Sequence, residues 1–187
     1  MNEIVFLVEE LSIVPVIEVI VSEIVPDDIV TRIIPHQGKS DLQKSIPRKL
    51  RGWANPNAQF VILHDQDSNN CRSLKSELKN LCPEDKRQSV LIRIVCVELE
   101  SWFFGDLEAV RIAFPKRKIR NVLAQSGFRE TDKIRNASSE LLKFVPEYQK
   151  VSGARLISEN LVIKRNVSVS FQMFVQGLRR VIQRFYE

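Results

Sequence analysis

Histidine and cysteine are scarce in this 187-residue chain, which has only His36, His64, Cys71, Cys82 and Cys96. Two histidines do not make a His-based metal cluster. Three cysteines without a CxxC pair fit neither a disulfide framework nor a zinc site, and suit a reducing cytosol. No apolar run reaches membrane-spanning length before Glu or Pro interrupts it. The opening MNEIVFLVEEL carries acids where a secretion signal needs a basic start. A cytoplasmic protein is expected. Gly38-Lys39-Ser40 lacks the earlier glycine of a Walker A loop, so ATP hydrolysis by this chain is not expected.

What is present reads as an ordinary globular chain, 44% apolar and 27% charged. Its length allows one good core, or a compact domain with a helical extension. The net charge of +5 conceals an asymmetry. Residues 1–110 hold 12 Lys/Arg against 17 Asp/Glu, whereas residues 111–187 hold 16 against 6. Such a split suits a polyanion held by one half and chemistry performed in the other. A solvated, Lys/Arg-rich helical face would give the same count.

Short apolar runs alternate with helical spacing through the first hundred residues. Strands are expected at Ile4–Val8, Ile29–Ile34, Phe60–Leu63 and Ser89–Val97, and the continuous apolar character of the first implies a sheet covered on both faces. Helices are expected at Leu11–Val25, Asp41–Trp53, Asn70–Leu81 and Glu98–Phe104. This alternation predicts an α/β, Rossmann-like parallel sheet of about four strands flanked by helices. Beyond residue 106 only helices are expected, at 107–114, 119–125, 138–144, 154–160 and 170–186. The division is therefore an α/β core over 1–105 and a basic helical portion over 106–187 packed on it.

Parallel sheets gather functional groups beyond the carboxyl ends of their strands. Here those ends read Glu9-Glu10, His36-Gln37-Gly38-Lys39-Ser40, His64-Asp65-Gln66-Asp67 and Glu98-Leu99-Glu100. Three of the four deliver carboxylates from distant parts of the chain. Crowded carboxylates repel unless they take up protons or share a cation, and Mg²⁺ or Mn²⁺ accepts a few carboxylates plus water and phosphate. Asp65 and Asp67 would share one side of an extended segment, although a lone DxD also suits an Asx-capped turn. If the strand runs on through Glu98 and Glu100, both carboxylates face the site, whereas a helix starting at Glu98 makes them diverge around its axis. One of the two, Glu98 or Glu100, is expected to reach it. Glu10 reads as a helix-start residue, and Gly38-Lys39-Ser40 as either a phosphate cradle or a solvated turn. His36 and His64 are read as packing or hydrogen-bonding residues rather than ligands. Trp102, Phe103 and Phe104 are read as core, with base stacking by Trp102 the lesser alternative. Lys116-Arg117-Lys118-x-Arg120, Lys164-Arg165 and Arg179-Arg180 would neutralise phosphates. The apolar stripe from Phe171 to Phe185 reads as core.

The Glu9 and Asp65-Gln66-Asp67 pattern resembles the Toprim domain of topoisomerases, primases and several nucleases. HQGKSDL, LHDQDSNNCRSLK, VELESWFFGD, TDKIRN and YQKVSGARLI are similar to a small bacterial branch catalogued as a domain of unknown function. The resemblance implies Glu9 as acid/base or metal ligand and Asp65 and Asp67 as ligands of Mg²⁺ or Mn²⁺; two-metal chemistry would also let Glu98 or Glu100 supply a second site. It implies phosphate contacts from Lys133 and Lys150. The chain departs from the family in having Glu10 where glycine is common and Ile13 where an acid is common. Only Tyr148 and Tyr186 could serve as covalent nucleophiles, and both fall in the helical part, which disfavours topoisomerase activity. The expectation is a metal-dependent nuclease acting on DNA or RNA, an effector beside an ABC-type ATPase in phage defence. The alternative is a non-catalytic nucleic-acid-binding or regulatory subunit of an ATPase complex. A receiver-type phospho-acceptor pocket lacks its expected lysine.

Overall fold

The computed structural model describes residues 1–117, 119 and 128–187. Four parallel strands, β1 (Asn2–Val8), β2 (Ile29–Pro35), β3 (Ala58–Asp65) and β4 (Val90–Val95), lie in the order β2-β1-β3-β4. From β1 the chain moves one way to β2 and the other way to β3. The reversal between β1 and β3 is the topological switch point, where open α/β sheets form their ligand crevice. Pairing of Val8 with Leu63 and of Asp65 with Val95 brings the carboxyl ends of β1, β3 and β4 level.

Alternating strand residues serve two cores, as the pleat requires. Ile4, Phe6 and Val8 face α1 (Val14–Ile24) and the C-terminal helices, whereas Val5, Leu7, Phe60 and Ile62 face α2 (Lys39–Gly52) and α3 (Cys71–Leu81). The continuous apolar run of β1 is thus explained by cover on both sides. Pro15 stands in the first turn of α1, where its missing N–H costs no bond. A 3-10 turn over Leu11–Ile13 precedes it, so the α-helix starts later than the periodicity alone predicts. Asn70 caps α3 by accepting from the amides of Arg72 and Ser73.

Among the described residues the remaining elements are helical, the longer ones being α4 (Glu100–Gly105), α5 (Leu107–Ala113), α6 (Ala137–Phe144), α7 (Lys150–Ser158) and α8 (Val169–Gln183). Residues 120–125 of the helix expected at 119–125 lie outside the described residues, as do Lys118 and Arg120; Ile119 is buried and non-helical. Trp102, Phe103 and Phe104 are fully buried. Trp102 stacks on Phe174 and meets Phe171 edge-on, so base stacking by Trp102 is excluded and the α8 stripe is core. Two acids, the half-buried Asp132 and the buried Asp106, tie this half together. Asp132 accepts from the Ser168 hydroxyl and from the Ser170 amide and hydroxyl, and Ser170 in turn accepts from the Trp102 indole. Asp106 holds Arg165 through two bonds, at 2.5 and 3.0 Å, and the amide of Val162. Arg165, expected at a phosphate, is therefore a structural cation.

Candidate metal centre

Glu9 leaves β1 nearly buried, and one of its oxygens accepts the backbone N–H of Asp65 at 3.0 Å. This bond crosses the switch point directly. The buried His64 points its Nδ1 at the Asp65 carbonyl (2.7 Å) and at Glu9 Oε2 (3.0 Å), which requires the proton on Nδ1. Its Nε2 faces the Gln43 amide at 3.3 Å and accepts from it. His64 thus positions Glu9, a role that sequence spacing did not reveal. His36 has the hydrogen-bonding role expected of it, with Nδ1 2.8 Å from the Val8 carbonyl and Nε2 2.5 Å from Ser45 Oγ.

Asp65 ends β3, and its carboxylate accepts no hydrogen bond among the described residues. Burial and the charges of Glu9, Glu100 and Glu10 hold its pKa well above the carboxylate range, against a smaller pull from Lys150. Glu9 is also raised, by burial and by Asp67 and Glu10, with His64 and the Asp65 amide opposing. Glu9, Glu10 and Asp65 line a void of about 10 Å³, close to the space of one water-sized occupant.

The choice between Glu98 and Glu100 resolves into two destinations. β4 stops at Val95 and α4 begins at Glu100, leaving Glu98 in the connection. Glu100 is fully buried: one oxygen accepts from the Tyr148 hydroxyl at 2.8 Å and the other has no partner. Burial raises its pKa, only partly offset by Tyr148. Glu98 instead accepts the Ser138 amide and lines a cleft of about 890 Å³ with Asp67, Asp132, Lys133 and Arg135.

Asp67 departs from the expected geometry. The strand ends at Asp65 and Asp67 is left-handed, with φ 51°, so the two aspartates do not share one side of an extended segment. The turn is pinned by Gln66 and Asp67 amides donating to the carbonyls of Val95 and Val97. Asp67 is exposed, 3.6 Å from Lys39 Nζ. Val97 has φ 62°, a costly conformation for a β-branched residue. Asp67, Val97 and Asn136, the non-glycine residues of positive φ among those described, all line the 890 Å³ cleft.

Cations reach this edge from both halves. Lys39 stands at the start of α2 behind Gly38, whose φ of 91° favours glycine. Lys150, from α7, lies 2.5 Å from Glu10; the pair, with the fields of Glu100 and Asp65, raises its pKa against the opposing effect of burial. Lys133 pairs with Glu130 on the cleft rim. Arg117 instead forms a bidentate pair with Glu147, and Lys116 is exposed. Burial and the Glu100 carboxylate push the Tyr148 hydroxyl pKa far up, the reverse of what a covalent nucleophile needs.

Among the described residues no three His, Cys, Asp or Glu side chains form a ready-made ion cage. Even so, the hard oxygen donors, the unpartnered Glu100 oxygen, the unbonded Asp65 carboxylate and the adjoining void fit a small divalent cation completed by water and phosphate. The converging acids are Glu9, Glu10, Asp65 and Glu100, with Asp67 and Glu98 on the adjoining cleft.

Fold and strand ends define a Rossmann-like α/β domain with an acidic switch point. The chain belongs to the family described as a domain of unknown function (DUF4276), whose model matches residues 9–179. The C-terminal region of the Burkholderia pseudomallei OLD protein has a similar fold, with a TM-score of 0.60 over 97% of this chain and 98% of that one, at 16% identity. No curated protein matches. No helix among the described residues is long and apolar enough to cross a membrane.

Proposed function

We propose that this protein is a metal-dependent nuclease of Toprim type that hydrolyses phosphodiesters of DNA or RNA. The observation that carries the reading is the convergence of Glu9, Asp65 and Glu100, from β1, β3 and the start of α4, with like charge and few internal partners. The Toprim resemblance of the same strand ends supports it. Asp65, with Glu9 and Glu100 beside it, would hold Mg²⁺ or Mn²⁺, and Asp67 and Glu98 offer a second set of oxygens on the cleft. Such an ion supplies a polarised phosphate oxygen and a water of lowered pKa. Glu9, seated by His64 and the Asp65 amide, receives the proton of the attacking water; its raised pKa suits that exchange. Lys39, Lys133 and Lys150 hold the phosphate backbone, each exchanging a carboxylate partner for it.

A second reading is a non-catalytic nucleic-acid-binding subunit of an ATPase complex. The Lys150–Glu10 and Lys39–Asp67 pairs favour it, because they already neutralise part of the acidic edge. The Toprim resemblance extends either reading to a cytoplasmic role in phage defence beside an ABC-type ATPase. Incubating the protein with labelled DNA or RNA in Mg²⁺ or Mn²⁺ tests the first. Cleavage abolished by Asp65→Ala is the expected result. Absence of cleavage, with or without the ATPase, favours the second.

A further inference from the structure

The cations expected from sequence to grip nucleic acid are largely engaged within the chain: Lys39 with Asp67, Arg117 with Glu147, Lys133 with Glu130 and Lys150 with Glu10. A different set has no carboxylate partner among the described residues. Lys75 and Lys79 on α3, Lys86 and Arg87 before β4, Arg93 on β4 and Arg184 beyond α8 line two grooves of about 660 and 240 Å³ that share Arg87 and Val90. Asp85 is the one acid in either lining.

Several of these cations are fixed rather than waving in solvent. Arg93 donates to the carbonyls of Met173 and Ile92, and lies against Gly177 of α8. Arg87 donates to the Cys82 carbonyl and Arg184 to that of Gln88. Backbone carbonyls orient the guanidinium groups without cancelling their charge. Arg180 adds a further like charge beside Arg93.

The grooves follow β4, the sheet's edge strand, from its start at Val90 to Arg93. The four strand residues from Val90 to Arg93 span about 13 Å at a rise of about 3.3 Å each, enough to meet more than one phosphate of one backbone. Neither groove is lined by an aromatic residue, so bases have no platform on which to stack. The chemistry on offer is phosphate contact without base reading. β4 ends at Val95, which adjoins the loop carrying Val97 and Glu98 of the acidic cleft.

We propose that the basic face along β4 is a binding surface for the phosphate backbone of a nucleic-acid duplex, feeding it toward the acidic strand ends. The direction of feeding rests on the nuclease reading; the binding surface does not. Anisotropy of a short labelled duplex, measured in EDTA across a salt series, separates them, because no metal-dependent cleavage occurs. Lys75→Gln/Lys79→Gln/Arg87→Gln should weaken binding by about tenfold or more and flatten the salt dependence by two to three units of log–log slope, at about 0.9 per lost phosphate contact. Removing the same charge from α2, by Lys44→Gln/Lys49→Gln/Arg51→Gln, should leave binding near wild type. If the first triple variant fails to fold, the exposed Lys79→Gln alone should lower the slope by about one. Equal weakening by both triple variants, an unchanged β4-face variant, or no duplex binding by the wild type overturns the proposal. Intact binding without cleavage in Mg²⁺ overturns the nuclease reading alone.

Discussion

At the residue scale, two acids titrate in opposite senses. Glu3, buried at the start of β1, accepts from Trp53, Arg32 and Asn55, and these donors lower its pKa despite burial. Its contribution to stability is present above its unfolded pKa and is lost as pH falls through the folded one. Asp65 is the reverse. Its folded pKa is raised by burial and by Glu9, Glu100 and Glu10, so its stabilising contribution is complete at acid pH and is lost as pH rises through the raised value. Asp65→Asn should therefore make the metal-free protein more stable at neutral pH, by a few degrees if the relief is about 1 kcal/mol. The gain should shrink toward acid pH. Thermal melts in EDTA at several pH values check this; a variant less stable at neutral pH would show that the carboxylate is already well compensated.

At the scale of elements, Tyr148 reaches Glu100 because α7 leaves it room. A Cβ on Gly153 would lie 2.4 Å from the Tyr148 ring, so Gly153→Ala should displace the ring and loosen the hydroxyl bond to Glu100. A loss of about 1–3 kcal/mol is expected, read as a lowered midpoint in denaturant titration. An unchanged midpoint would mean that the ring moves aside freely. The alternation of β1 to β4 with α1 to α3 was legible in the sequence, since period-2 and period-3.6 patterns report burial directly. Strand order was not, because pairing β3 with β1 is a long-range event that leaves no local periodicity. The sequence therefore delivered Glu9 and Asp65 to one edge without showing them to be neighbours. His64 was legible as a packing or hydrogen-bonding residue, but its partner Glu9, 55 positions earlier in the chain, was not. The extended geometry expected of Asp65 and Asp67 does not hold, because an extended DxD and a left-handed turn have the same composition. The roles of Lys150, Tyr148 and Arg165 depend on how the C-terminal helices dock, which amphipathic spacing does not specify.

For the whole molecule, the sheet supplies Glu9 and Asp65, while the helical half supplies Lys150 and the Tyr148 that holds Glu100. One core joins the two, running from Ile4 through Trp102 to Phe174 and Ile182. An ion bound at the switch point would thus couple to folding of the entire chain, in one transition rather than two. The most direct measurement is a calorimetric titration of the protein with Mn²⁺ or Mg²⁺, paired with thermal melts at saturating ion. The wild type should bind the ion, release protons as its raised carboxylates ionise, and melt in a single transition at higher temperature, with all three responses lost in Asp65→Asn. Failure of the wild type to bind either ion, or undiminished binding by Asp65→Asn, would contradict the account.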